Sequence, residues 1–154
     1  MRTAWRLVKE SHVKDAFSGE GARLYGGRWN HRGVPAVYLS EHLSLAVLEQ
    51  FVHLTQAQKN IRFSSIRVEI PEDLPGEEIR PENLPEDWRT EPGPMSSKNL
   101  GTRWVEAART AVLRVPSVII PEEFNLMLNP RHTDFSKLRM GTAELFSLDP
   151  RLWK

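Results

Sequence analysis

Apolar and polar positions alternate through Ala4-Trp5-Arg6-Leu7-Val8, which predicts a first strand. Four glycines between 18 and 27 predict a loop. A second strand is expected over 36–40, after the turn at Gly33-Val34-Pro35. Residues 41–54 form the clearest helical pattern, with Ser40 as its expected N-cap. A long strand over 61–70 places Ile66, Val68 and Ile70 on one face. A second helix runs from a cap at Ser96 or Ser97 to Leu113. Residues 118–120 and 124–128 form a strand pair around Pro121-Glu122-Glu123, and 144–148 a final strand. Strands gather late instead of alternating with helices, so the pattern predicts an α+β fold.

The 154 residues suit one domain, 1–154, large enough to bury a core. No apolar run approaches the ~20 residues of a membrane span. The start MRTAWRLVKE carries no secretory apolar stretch, so no membrane association and a cytoplasmic chain are expected. There is no cysteine, which excludes disulfides, thiolate metal sites and thiol nucleophiles.

Net charge is +1, but its distribution is uneven. Residues 1–68 hold ten basic and five acidic side chains, and 92–154 hold nine and six. Residues 69–91 hold nine acidic and two basic side chains, and 69–94 contain six of the eleven prolines. Proline removes backbone donors, so 71–95 is expected as a long acidic surface connection with at most one helical turn at Glu86–Arg89. The remainder is basic, which favours an anionic ligand.

A phosphate-cradling P-loop, a dinucleotide-binding glycine fingerprint, a zinc HExxH and a serine nucleophile elbow are all absent. No metal site is expected among the five histidines, none of which pairs at i, i+4. Glu49 stands out, because apolar residues cover most of the 41–54 helix. A helix apolar nearly all round is expected to be buried and offers a carboxylate few inexpensive places. Its position suits either a structural ion pair or the floor of a cleft. Gly26-Gly27-Arg28-Trp29-Asn30 combines backbone that a ligand can approach closely with a planar guanidinium suited to phosphate. Arg6 sits mid-strand, facing solvent or a polar cavity. Tyr38 is a core residue or a stacking platform, and Ser117 alone is an ordinary strand-start serine.

Together these residues resemble the RES domain, the toxin of RES–Xre toxin–antitoxin pairs, named for an arginine, a glutamate and a serine. The matching stretches are GGRWNHRGVPAVYLSEHLSLAVLEQ and VPSVIIPEEFNLMLNP, which map the name residues onto Arg28, Glu49 and Ser117. The family's further arginine and tyrosine map onto Arg6 and Tyr38. The resemblance implies an ADP-ribosyltransferase-like core of mainly antiparallel strands with flanking helices. It implies NAD+ as a substrate rather than a cofactor, cleaved between nicotinamide and ribose with water, phosphate or a protein as acceptor. The implied outcome is NAD+ loss and growth arrest. Glu49, Arg28 and Ser117 are then the expected catalytic residues, and Arg6 and Tyr38 bind substrate. Asn125, Asn129 and His132 are further candidates for the pocket wall. The implied partner is an Xre-type DNA-binding antitoxin, with a possible homodimer and no direct DNA binding by this chain.

Two other functions compete. Lys98, Arg103, Arg109 and Arg114 on a helix over 97–114 could face nucleic-acid phosphates. His132 with Arg131 could serve a ribonuclease, although no second histidine completes an acid–base pair.

Overall fold

The computed structural model describes all 154 residues. Its strands are β1 (Arg2–Lys9), β2 (Val37–Ser40), β3 (Phe63–Ile70), β4 (Gly76–Glu78), β5 (Val112–Pro116), β6 (Phe124–Leu128), β7 (Arg139–Met140) and β8 (Glu144–Phe146). The helices are α1 (Glu20–Tyr25), α2 (Leu43–Phe51) and α3 (Met95–Ala107), with short 3₁₀ turns between elements. The strand order is β4-β5-β6-β2-β1-β3-β7, and β8 joins the same edge of β3 as β7. Only β4–β5 is parallel, so the sheet is mixed and mainly antiparallel, as expected. No helix is long and apolar enough to cross a membrane.

Side-chain alternation buries both faces of the central strands. Leu126 and Leu128 of β6 enter one core with Val37, Val68 and Ile70. Met127 turns to the other, where Trp29, Trp88 and Trp104 gather with Leu113 and Val115. Burial of each such side chain stabilises the fold by about 1.5–3 kcal/mol. Ile66, Val68 and Ile70 share their buried face as the pattern predicts.

Several boundaries differ from expectation, each for a local reason. Gly19 and Gly26, both at positive φ, bracket α1 in the segment expected as a loop. Ser40 does not cap α2; it ends β2, and His42 holds the cap position. Neither Ser96 nor Ser97 caps α3, whose N-cap is Pro94. That helix ends at Ala108 in the left-handed region, which releases Val112 and Leu113 into β5. Residues 118–120 form no strand, because the Ser117 hydroxyl accepts the N–H groups of Ile119 and Ile120 and curls the chain. The partner of β6 is therefore β5. The 71–95 segment is more than a surface connection. It adds β4 to the sheet, buries Trp88 and turns at Pro81–Asn83 as well as Glu86–Arg89.

The basic row expected on the second helix is broken. Arg109 and Arg114 lie beyond α3, paired with Glu77 and with Glu41 and Glu78 respectively.

Backbone contact between α3 and the Arg28-Trp29 turn is very close. A Cβ placed on Gly101 would lie 1.8 Å from the Trp29 carbonyl oxygen. Gly101→Ala is expected to cost about 3 kcal/mol in urea unfolding, since the clash is with backbone and no rotamer relieves it.

Candidate active site

A cleft of about 750 Å³ opens where β1 leaves β2. These strands share one register pair, Trp5↔Ser40, whereas β1 pairs with β3 along eight. Backbone acceptors freed by the divergence need partners. Side chains supply them. Arg6 Nη1 donates to the Tyr38 carbonyl at 3.1 Å, and Gln50 Nε2 donates to the Leu7 carbonyl at 2.8 Å. Arg6 Nε also donates to the Ala16 carbonyl at 3.1 Å. Arg6 thus points into the polar cavity, with neutral oxygens around it and no carboxylate partner. Burial pulls its pKa down to about 10, so it stays cationic at neutral pH.

Glu49, on α2, projects into the cleft. Its Oε1 accepts from Ser117 Oγ at 2.7 Å and from Asn125 Nδ2 at 2.8 Å. Asn125 Oδ1 in turn accepts from Ser40 Oγ at 2.6 Å. The β2–β6 register, which pairs Ser40 with Asn125, makes that contact automatic. Both donors to Glu49 are neutral. They orient the carboxylate without cancelling its charge and leave Oε2 with no side-chain partner. Contrary to expectation, α2 is buried only in part: Leu45 and Ala46 are covered, while Leu48 and Val52 are exposed. Ala46, Glu49, Gln50 and Val52 line the cleft wall, and Leu48 does not.

Ser117 is fully buried and does not line the cleft. Its hydroxyl donates to Glu49 and accepts two backbone N–H groups. Its contact with Glu49 is that of a positioning residue, which orients the carboxylate from behind the cleft wall.

The Gly26–Asn30 turn is riveted from inside. Asn30 Nδ2 donates to the Ala22 and Val34 carbonyls, and its Oδ1 accepts from the Tyr38 hydroxyl at 2.6 Å. That hydroxyl also accepts from the Trp29 N–H at 3.2 Å. A Cβ on Gly27 would lie 2.8 Å from both Asn30 Oδ1 and the Tyr38 hydroxyl, so this glycine serves the turn's packing rather than ligand approach. The Tyr38 hydroxyl is tied into the fold, and the residue also lines the cleft. Arg28, also in the wall, donates to the Trp88 and Thr90 carbonyls and pairs with Glu91.

Sequence reasoning missed Glu91, Lys98 and Gln50. Lys98 lines the cleft and donates to the Gly27 carbonyl at 2.8 Å. Spacing gave no signal for any of them, since all reach the site through tertiary packing. Asn129 and His132 lie outside the cleft lining. Asn129 is buried, donating to the Val105 carbonyl, and His132 Nδ1 accepts the Asp134 N–H. Nor is the cleft basic like the sequence around it. Arg6, Arg28 and Lys98 face Asp15, Glu20, Glu49 and Glu91.

The cleft, set in a split α+β sheet, thus holds one carboxylate oriented by neutral donors and one buried guanidinium without a carboxylate partner. The RES domain family model matches residues 3–149. The chain belongs to the RES domain family and is a RES-type toxin. It is 39% identical over 149 residues to Toxin Res of Yersinia enterocolitica, covering 96% of this chain and 97% of that protein. It is 38% identical over 152 residues to the Prs ADP-ribosylating toxin of a Sphingobium strain, covering 96% and 94%. Among solved structures it matches the M. tuberculosis MbcT–MbcA toxin–antitoxin complex with a TM-score of 0.75. That match has 21% identity and covers 99% of this chain and 86% of that one. The expected ADP-ribosyltransferase-like fold is thereby borne out.

Two measurements check this geometry. Ser117→Ala leaves two N–H groups and a carboxylate oxygen short of a partner and should cost about 1–3 kcal/mol in chemical unfolding. Burial raises the Tyr38 hydroxyl above its ordinary value of 10.0. The folded state therefore holds this proton when the unfolded state has lost it, and the Tyr38 contribution falls as pH rises above 10. The stability gap between wild type and Tyr38→Phe should shrink there, by up to about 1.4 kcal/mol per pH unit, when unfolding is compared at pH 8 and 11.

Proposed function

We propose that this toxin cleaves the nicotinamide–ribose bond of NAD+, with water or phosphate as acceptor. The observation carrying this reading is the Glu49 carboxylate, fixed by Ser117 and Asn125 in a cleft that also holds the unpaired Arg6 guanidinium. Breaking an N-ribosidic bond develops positive charge at the ribose, as in glycoside hydrolysis. Nicotinamide leaves as a neutral molecule, so no general acid is needed, and one anion suffices. Glu49 Oε2 faces the ribose, accepting a hydroxyl hydrogen bond and stabilising the developing cation. Preorganised charge of this kind acts without reorganisation at the moment of reaction. Arg6 and Arg28 take the pyrophosphate. Tyr38 packs its ring against nicotinamide.

A second reading, transfer of ADP-ribose to a protein, is favoured by the name of the Sphingobium relative. In either case the toxin acts in the cytoplasm, and a proteinaceous antitoxin restrains it. The toxin names of the relatives and the antitoxin complex of the structural neighbour support that partner. We infer an Xre-type DNA-binding protein.

Glu49→Gln should melt within a few degrees of wild type and leave NAD+ intact by chromatography. Mass identification of products with and without phosphate assigns the acceptor. A Glu49→Gln protein that consumes NAD+ at the wild-type rate overturns the mechanism.

A further inference from the structure

The acidic connection contributes Glu91, Pro92 and Gly93 to the cleft wall. Its contact with Arg28 is intimate. A Cβ on Gly93 would meet Arg28 Cα at 3.4 Å and Arg28 Cγ and Nη1 at 3.5 Å. Arg28 Nη1 donates to the Trp88 and Thr90 carbonyls at 3.2 and 2.8 Å. Its Nη2 donates to Glu91 Oε2 at 2.5 Å. A guanidinium has five N–H donors, so Nε and one proton of Nη2 are left.

The two partners are unequal. The Arg28 side chain is 17% exposed, whereas that of Glu91 is 75% exposed. The two carbonyls hold Arg28 in place whatever Glu91 does. The Glu91 carboxylate is free to swing into water, and its pairing at such exposure is weak. Its main effect in the closed position is to cancel charge and occupy Nη2.

We propose that Glu91 is an internal competitor for Arg28. It shares Nη2 and sets a negative charge beside the guanidinium, so it must swing into solvent before a phosphate, also negative, can bind there. A phosphate then takes Nε and Nη2 together, the bidentate arrangement a guanidinium favours. The identity of the ligand rests on the dinucleotide reading above, while the competition itself does not. Glu91 thereby tunes the affinity of the cleft for phosphate groups and is indifferent to neutral ligands.

Calorimetry on wild type, Glu91→Gln and Glu91→Ala with three probes tests this. The probes are inorganic pyrophosphate, ADP-ribose and nicotinamide riboside, which lacks the pyrophosphate. Both variants should melt like wild type and bind pyrophosphate and ADP-ribose about two- to fivefold more tightly. Nicotinamide riboside should bind unchanged. The gain should shrink at high salt, where exposed charges are screened. Unchanged or weaker binding of both phosphate probes in the variants overturns the proposal, as does failure of both probes to bind any of the three proteins. Tighter pyrophosphate binding without ADP-ribose binding sustains the competition and refutes the dinucleotide reading.

Discussion

One divergence organises the molecule: β1 stays with β3 along its length but meets β2 at a single pair. Splitting a sheet exposes backbone acceptors inside the protein, where water cannot satisfy them cheaply. This chain fills the split with side chains, and those side chains make the site. Arg6 closes one carbonyl and in doing so brings a cation into the cleft. Gln50 closes another and fixes α2, the helix that carries the adjacent Glu49. Structural repair and ligand chemistry are therefore carried by neighbouring atoms.

Two of the charges in this cleft are oriented by neutral groups. Glu49 is held by a hydroxyl and an amide, Arg6 by carbonyls. A direct Arg6–Glu49 pair would be the inexpensive way to bury both, and it would leave little field for a ligand. Keeping them apart maintains an anion and a cation, each with its field open to the cleft. The orienting work falls on the surrounding network of Ser40, Asn125 and Ser117.

The sequence disclosed what is local. Alternation located β1, β2, β3 and β6, and the apolar helix drew attention to Glu49. Arg28 stood out among glycines as a phosphate-type guanidinium, whereas Tyr38 and Ser117, ordinary for their own elements, gained a site role only through resemblance to a family. What stayed hidden depends on tertiary context. Ser117 curls the chain with two backbone bonds that no periodicity records, so the strand was expected five residues too late on one side of it. Glu91 comes from a segment whose proline and carboxylate content suggests a solvated loop, and only packing of Trp88 beneath it turns that loop toward the cleft. The local charge balance misled for the same reason: a basic chain can still gather four carboxylates around one cavity.

The margins of the sheet are short on both sides. At one end β4 offers three residues, and its carboxylates Glu77 and Glu78 are engaged by Arg109 and Arg114. At the other, β7 and β8 divide the edge of β3 into pieces of two and three residues. Long bare edges invite strand addition and run-on aggregation. This chain presents none, so copies have no ready template on which to grow a continuous sheet. Any pairing of copies must be built from side-chain surfaces.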